Sequence, residues 1–331
     1  MRNVLKLNHS GFIDSYWFYA DLLAIASTVD ADDAWLLNNY INLRSVESAS
    51  YPFSLHFMNG PYFNLMVDYL KCPFLKTERL RKDVEFNPSR ELVACLKALI
   101  DSGSYIILMV ERREIETYQI NRSRPSPHEI MIYGYDDATE TIYFADNTKT
   151  GKYAAKLSCS YASLRNAYLK LNIPEERELH AYFYKIQVHA CSTYSVQRST
   201  IKAQLADYLH GRSSVEPYTT EKVFYGIYIF DRFLAYLTLH LKEGFVLDLR
   251  HFSLFYDHKK VMCERIRRLL PDLKTEYRYE EVVKEALLIR NLMLKYRMSK
   301  EKTILLRTMR KMEALKSKEQ AILESACVAL D

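Results

Sequence analysis

The sequence predicts an α+β fold in its first part and an all-α fold in its second part. Up to about Gln187, short β-like runs alternate with helical ones, whereas from about Tyr194 nearly every segment has a helical period and good helix formers. The 331 residues include only eight Gly and nine Pro, which disfavours a turn-rich all-β architecture. We therefore expect two domains, residues 1–190 and residues 191–331.

The first domain is predicted to begin with helices. Apolar residues recur on one helical stripe over residues 15–26, and residues 31–39 form a second, shorter predicted helix. Pro61 follows an Asn-Gly pair and predicts the start of a third helix. The Asn-Pro-Ser sequence at 87–89 predicts the cap of a fourth helix, which reaches Leu99.

Strands follow these helices. The apolar run at 105–110 is short and preceded by Gly103, as is typical of a buried strand. Ser160 is predicted to cap a helix that reaches Leu169. The other predicted strands are residues 128–135, 141–145, 153–157 and 180–188, of which the first two form a hairpin around a polar turn. Helices followed by an antiparallel sheet with one inserted helix indicate an α+β domain.

The second domain is predicted to contain helices near residues 195–209, 220–241, 249–270, 279–298 and 300–326. Residues 193–331 contain 25 Lys and Arg against 18 Asp and Glu, a net charge of +7, which leaves −2 for the rest of the chain. Much of this surplus alternates with apolar residues at helical spacing over 295–302 and 307–318. The solvated face of an amphipathic helix explains this pattern better than a nucleic-acid surface, because no nucleic-acid-binding motif accompanies it.

Several function classes lack their sequence signals. The N-terminus has no apolar signal segment, and the longest apolar stretch, 223–241, is interrupted by Asp231 and Arg232, so we expect a buried helix and no membrane partner. No G-x-G-x-x-G motif or P-loop occurs. We therefore expect no cofactor. No C-x-x-C spacing links the six cysteines, Cys72, Cys95, Cys159, Cys191, Cys263 and Cys327, so we expect no metal site. This scattered spacing indicates reduced thiols and a cytoplasmic location.

Two weaker candidates have ordinary structural explanations. Cys72 could be a reactive thiol at a helix end, but a C-terminal helix position raises the pKa of a thiol, which favours a buried structural cysteine. His251 and His258 could share a helical face and, with Asp248 or Asp257, bind a metal. Salt-bridged surface histidines are the expected alternative, because no H-E-x-x-H motif accompanies them.

The most informative stretch is the predicted hairpin from His128 to Asn147. His128 opens its first strand and Asp146 closes its second, so the two side chains are expected to meet at one end of the sheet. Hydrolases with a nucleophile–histidine pair need this geometry, because a carboxylate or amide must orient the imidazole. The structural alternative is a strand-end histidine bound to a backbone carbonyl, next to an Asp-Asn turn.

This pattern resembles a known group of enzymes. His128, the apolar strand, Gly134-Tyr135-Asp136, the turn and Asp146 resemble the second half of papain-like peptidases that process bacteriocin leaders, and of their relatives similar to the butirosin-biosynthesis acyltransferase. Residues 99–108 are similar to the helix, small turn and strand that precede the histidine in those proteins. The resemblance covers about residues 10–190, and the helical part is loosely similar to the extension of the acyltransferase-like relatives.

The resemblance implies a nucleophilic cysteine at the N-terminus of the first helix. The corresponding segment, 13–19, contains no cysteine, and Ser15 is the best match because it begins the predicted helix. Three explanations stay open: a natural serine nucleophile, a degenerate site, or a deliberate replacement of Cys by Ser. Oxyanion donors are expected from the backbone N–H of Ser15 and from the side chain of Asn8 or His9.

The function implied by the resemblance is acyl transfer, or cleavage of a thioester or amide, in bacterial natural-product biosynthesis. Ser15 would be the nucleophile, His128 the base and Asp146 the residue that orients it. An acyl-carrier protein or a peptide would be the donor. The alternative is a catalytically inactive papain-like protein with a binding or scaffolding role.

Overall fold

The structure, a computed structural model, describes residues 1–48, 52–58, 66–82, 92–118, 120, 123–148, 152–171, 182–191, 193–214, 222–271 and 275–330. The helices in this part of the chain are α1 (Trp17–Ala26), α2 (Ala34–Asn38), α3 (Val67–Lys71), α4 (Leu92–Asp101), α5 (Tyr161–Leu169), α6 (Arg198–His210), α7 (Ile229–Glu243), α8 (Arg250–Leu269), α9 (Thr275–Ser299) and α10 (Lys302–Ala329). The strands are β1 (Arg2–Val4), β2 (Asn42–Glu47), β3 (Ser54–Met58), β4 (Leu75–Arg81), β5 (Ser104–Glu111), β6 (Pro127–Asp136), β7 (Thr141–Asn147), β8 (Tyr153–Ser160), β9 (Tyr182–Val188) and β10 (Lys222–Tyr225).

The chain forms two compact units, each an α+β assembly. Unit 1 consists of Met1–Asp32 and Asp68–Tyr194, and unit 2 of Asp33–Val67 and Ser195–Asp331. Residues 33–67 were expected in the first domain, and the second segment of unit 1 ends at Tyr194, four residues after the expected boundary at 190. Residues 33–67 belong to unit 2 because β2 pairs with β10 there.

Unit 1 is built on a seven-stranded antiparallel sheet. The strand order is β4-β9-β5-β6-β7-β8, with β1 paired to the end of β6 that β5 leaves open. The core strand β5 is buried along its whole length, as its apolar sequence predicts. The predicted hairpin is present as β6 and β7, whereas β1 and β4 were not predicted. β4 forms one edge of the sheet, and its sequence contains both charged and apolar residues.

The helices of unit 1 include a wholly buried one. All ten residues of α1 are buried, so it is a core helix and not the amphipathic one that its predicted stripe suggested. The cap of α5 is confirmed, because the Ser160 hydroxyl accepts a hydrogen bond from the Ser163 N–H at 3.1 Å. The helix start predicted at Pro61 and the cap predicted at 87–89 lie outside the described residues.

Unit 2 is not all-α, because a three-stranded antiparallel sheet, β10-β2-β3, accompanies its helices. The expected helix at 220–241 is wrong in its first part. Lys222–Tyr225 is strand β10, and the helix starts only at Ile229. Gly226 separates the two with a φ of +54°, and a Cβ there would lie 2.1 Å from the carbonyl oxygen of Tyr208. Only glycine permits this close approach of two backbones.

The other predicted helices of unit 2 are present as α6, α8, α9 and α10. Their core contains an ion pair of Lys259 on α8 and Glu319 on α10, both with fully buried side chains 2.7 Å apart. The hydroxyl of Tyr208 completes this cluster by hydrogen-bonding to both side chains. None of the helices in the described part of the chain has the length and hydropathy that a membrane span requires.

Candidate functional site

The adjoining ends of β6 and β7 carry a histidine beside an aspartate. His128 is the second residue of β6, and Asp146 is the second-last of β7. His128 Nε2 lies 3.0 Å from Asp146 Oδ1. The structure therefore brings the two side chains together as expected from the hairpin. A carboxylate at Nε2 favours the tautomer with the proton on that nitrogen, which leaves Nδ1 as the basic nitrogen.

Asp146 is fully buried and has several donors around it. The hydroxyl of Tyr118 donates to Oδ2, and the backbone N–H of Asn147 donates to Oδ1 at 2.6 Å. Arg112 adds a positive charge, with Nη1 4.0 Å from Oδ2. Burial, and then the negative charge of Asp146, raise the pKa of Tyr118, so this hydroxyl stays protonated and remains a donor. These contacts supply the hydrogen bonds and the opposite charge that a buried carboxylate requires.

Two contacts place the start of α1 against this pair. The indole of Trp17 meets the His128 ring edge-on, with ring centroids 6.2 Å apart. The side-chain amide of Asn147 donates to the carbonyl oxygen of Asp14 at 2.6 Å. Ser15 lies between Asp14 and Trp17 in the chain. The segment that contains Ser15 is therefore attached at both sides to residues of the His128–Asp146 site.

Ser15 precedes the helix instead of beginning it, which corrects the expectation from the sequence. Tyr16 has extended backbone angles at the N-cap position, and α1 starts at Trp17. Ser15 is nevertheless only 4% exposed, so it lies in a buried turn at the positive end of the α1 dipole.

The two candidate oxyanion residues are in different places. The Asn8 side chain donates to the carbonyl oxygen of Ser27 at 3.2 Å, beyond the C-terminal end of α1. The ten-residue helix separates that end from Ser15 by about 15 Å, so the structure does not bring Asn8 to the site. His9 remains close, with Nε2 2.9 Å from Oδ1 of Asp14, the residue before Ser15.

A second buried carboxyl group belongs to Asp21 on α1. Asp21 is fully buried and accepts a hydrogen bond from the Tyr153 hydroxyl at 2.5 Å. Burial raises the pKa of Asp21 well above its usual value, and the negative charge of Asp146 raises it further. Of these two carboxyl groups, Asp146 has the better-compensated charge, because His128 and Arg112 are beside it.

The other candidates from the sequence are structural. Cys72 is buried, and burial raises the pKa of its thiol to about 12. His251 and His258 are buried as well, not on the surface as expected, because their helix α8 packs inside unit 2. His258 Nε2 lies 2.8 Å from the carbonyl oxygen of Ile41. Among the described residues, no group of three His, Cys, Asp or Glu side chains is placed to bind a metal ion.

Three residues that surround the pair were not predicted from the sequence. Tyr118 and Arg112 lie in or near the short 3-10 turn after β5, where no periodic pattern marks them. Trp17 belonged to a predicted helix, but its contact with His128 depends on packing between elements distant in sequence. No local signal in the sequence could have identified these contacts.

The chain matches none of the protein-family models, and no curated protein matches it.

Proposed function

We propose that unit 1 catalyses acyl transfer, or cleavage of a thioester or amide, with position 15 as the nucleophile. The observation that carries this proposal is the 3.0 Å contact between His128 and Asp146, with the segment around Ser15 attached to the same site through Trp17 and Asn147. A nucleophile, a base and a group that orients the base are the three parts this chemistry requires.

In the proposed reaction, Nδ1 of His128 removes the proton from the Ser15 hydroxyl as the oxygen attacks the carbonyl carbon. The new C–O bond forms, and the bond to the thiol or amine leaving group breaks, with the proton passing from His128 to that group. Asp146 keeps the imidazole oriented and stabilises its charged form. Water or an acceptor amine then takes the acyl group from Ser15 by the reverse steps.

The substrate class comes from the resemblance to papain-like acyltransferases and leader peptidases. It implies an acyl-carrier protein or a peptide as the donor, in bacterial natural-product biosynthesis. The papain-like assignment of unit 1 is part of this proposal, and the antiparallel sheet with the buried helix α1 supports it.

The second candidate function is a binding or scaffolding protein that has the fold without the reaction. The serine at position 15 favours it, because a hydroxyl must lose its proton during attack, whereas a thiol beside a histidine is already ionised. Glu129 also favours it, because its Oε2 lies 3.8 Å from Nδ1 of His128, the nitrogen that the reaction needs.

The experiment that separates the two functions uses Ser15→Cys, which introduces a thiol. We expect a covalent acyl adduct on the intact protein, seen by mass spectrometry after incubation with a small acyl thioester. Peptide mapping should place the adduct at position 15, and Ser15→Ala should form none there. An adduct equally frequent in both variants, or none in Ser15→Cys, would favour the binding protein.

A further inference from the structure

One end of unit 2 exposes large apolar side chains. Val246 and Met298 are 90% and 88% exposed, the highest values among the large apolar side chains of the described residues. Val246 lies in the loop after α7, and Met298 in the last turn of α9. Side chains this exposed project from the surface, with little protein packed around them.

A buried histidine connects the two positions. His240, in the last turn of α7, has Nδ1 2.6 Å from the carbonyl oxygen of Phe245 and Nε2 2.8 Å from the Tyr296 hydroxyl. Val246 follows Phe245 directly, and Met298 is two residues after Tyr296. The two exposed side chains therefore lie at the same end of the unit.

Two further leucines are exposed near this end of α9 and α10. Leu294 is one helical turn before Met298 and 41% exposed, and Leu306, near the start of α10, is 38% exposed. The helices α9 and α10 pack against each other and are joined at this end by a two-residue connection. We name these four residues, Val246, Leu294, Met298 and Leu306, the apolar tip.

The apolar tip is accompanied by positive charge. Residues 290–312 include eight Lys and Arg and a single acidic residue, Glu301. Farther along α10, lysines pair with acidic side chains, as Lys316 does with Asp231 at 2.7 Å. The basic rim, defined as the exposed cations within residues 290–312 that form no ion pair with any described residue, consists of Lys295, Arg297, Lys300, Lys302, Arg307 and Arg310.

The composition of this surface favours one type of partner. Nucleic-acid surfaces that bind bases use exposed aromatic rings, but Tyr296 is buried here. Protein interfaces concentrate affinity in Trp, Tyr and Arg seated in pockets, whereas the apolar tip has only aliphatic side chains that project outward. Projecting aliphatic side chains within a group of Lys and Arg suit the boundary between lipid headgroups and acyl chains.

We propose that the apolar tip and basic rim bind the anionic surface of a membrane. Val246 and Met298 enter the headgroup region, and the basic rim faces acidic lipid headgroups. It revises the expectation of no membrane partner, which was based on the charges that interrupt the longest apolar stretch, because binding at the surface needs no helix that crosses the bilayer. This binding is independent of the proposed acyl transfer in unit 1.

The test is co-sedimentation of the full chain with vesicles of phosphatidylcholine alone or mixed with phosphatidylserine. We expect binding to the mixed vesicles that weakens as salt rises above about 0.1 M, because salt screens exposed charges. Lys295→Glu should weaken that binding about fivefold or more, since each Lys or Arg near such a surface contributes about 1 kcal/mol. The double variant Val246→Asp with Met298→Asp should reduce it further at every salt concentration.

Matched controls use equivalent residues outside this surface. Val328 is 74% exposed near the end of α10, and Lys284 is exposed earlier on α9, so Val328→Asp and Lys284→Glu should bind like the unchanged chain. Circular dichroism checks that each variant is folded. Equal binding by tip and control variants, or no binding to the mixed vesicles, would overturn the proposal. Tip-dependent binding to soluble polyglutamate but not to vesicles would also overturn it, in favour of an acidic protein partner.

Discussion

At the scale of single residues, Asp146 connects the parts of the candidate site. It contacts His128 through one oxygen and Tyr118 through the other, and the next residue, Asn147, reaches the carbonyl group before Ser15. The sequence could predict the His128–Asp146 pair, because a hairpin determines which strand ends meet. It could not predict Tyr118, because a tyrosine in an irregular segment has no periodicity that reveals its direction.

The role of Tyr118 can be tested without changing the nucleophile or the base. Tyr118→Phe removes one hydrogen bond to Asp146 and retains the buried ring. In a Ser15→Cys background, we expect alkylation of the new thiol to slow about fivefold, the equivalent of about 1 kcal/mol for one lost hydrogen bond. Tyr105→Phe is the matched control, since its hydroxyl binds the Lys6 carbonyl elsewhere in unit 1. Equal rates in the two variants would contradict a positioning role for Tyr118.

His251 gives a pH-dependent contribution to stability. Burial lowers its pKa to about 4 from an ordinary value of 6.5. Below about 6.5 the unfolded chain binds this proton and the folded chain does not, so the free energy of unfolding should decrease as pH falls from about 6.5 to about 4. The slope from this histidine alone is up to about 1.4 kcal/mol per pH unit.

Urea unfolding at several pH values measures that slope. His251→Gln should unfold with a shallower decrease between about pH 6.5 and pH 5 than the unchanged chain. The exposed His210 provides the control His210→Gln, which should retain the full decrease. An unchanged slope in His251→Gln would show that this side chain has the same pKa in the folded and the unfolded chain.

At the scale of elements, α8 and α10 are joined through charge as well as apolar packing. Glu319 has its carboxylate within hydrogen-bond distance of Lys259, Tyr208 and Tyr279, and all four side chains are buried. Sequence periodicity predicted both helices, because their apolar residues recur at helical spacing. It could not predict that these two charges face each other, since both resemble residues of a solvated helix face.

Breaking this ion pair should be costly. Glu319→Gln leaves the Lys259 ammonium buried without its counter-charge, and we expect the free energy of unfolding to decrease by about 3 kcal/mol or more. Adding Lys259→Met should recover much of that loss, because a buried methionine needs no partner. Glu324→Gln, on the exposed face of α10, is the control and should change stability by less than about 0.5 kcal/mol. If Glu319→Gln lowers the free energy of unfolding no more than Glu324→Gln does, the ion pair does not stabilise the fold as expected.

At the scale of the whole molecule, the division into units shows where sequence analysis reaches its limit. The change to mainly helical character was predicted at residue 190, and the second segment of unit 1 ends at Tyr194. The membership of residues 33–67 was not visible, because it depends on pairing of β2 with a strand far along the chain. Arg265 also links residues 33–67 to the helices of unit 2, because its guanidinium donates to the carbonyl oxygens of Leu36 and Leu37.

A fragment of residues 195–331 should therefore be unstable by itself. It lacks β2 and β3, and the buried guanidinium of Arg265 loses its carbonyl partners, which costs several kcal/mol for a buried charge. We expect a broad, weakly cooperative thermal melt by circular dichroism. A cooperative melt at the temperature of the full chain would show that residues 33–67 contribute little to unit 2.

The proposed function requires that position 15 lies in an activating environment made by His128 and the start of α1. The most direct measurement is the rate of iodoacetamide alkylation of Ser15→Cys as a function of pH. Ser160→Cys provides the matched thiol at the N-cap of another helix. We expect faster alkylation at position 15 than at 160, an apparent pKa below about 8.5, and loss of most of this advantage when His128→Ala is added. A thiol at position 15 that reacts no faster than the one at 160, with or without His128, would contradict the proposed function.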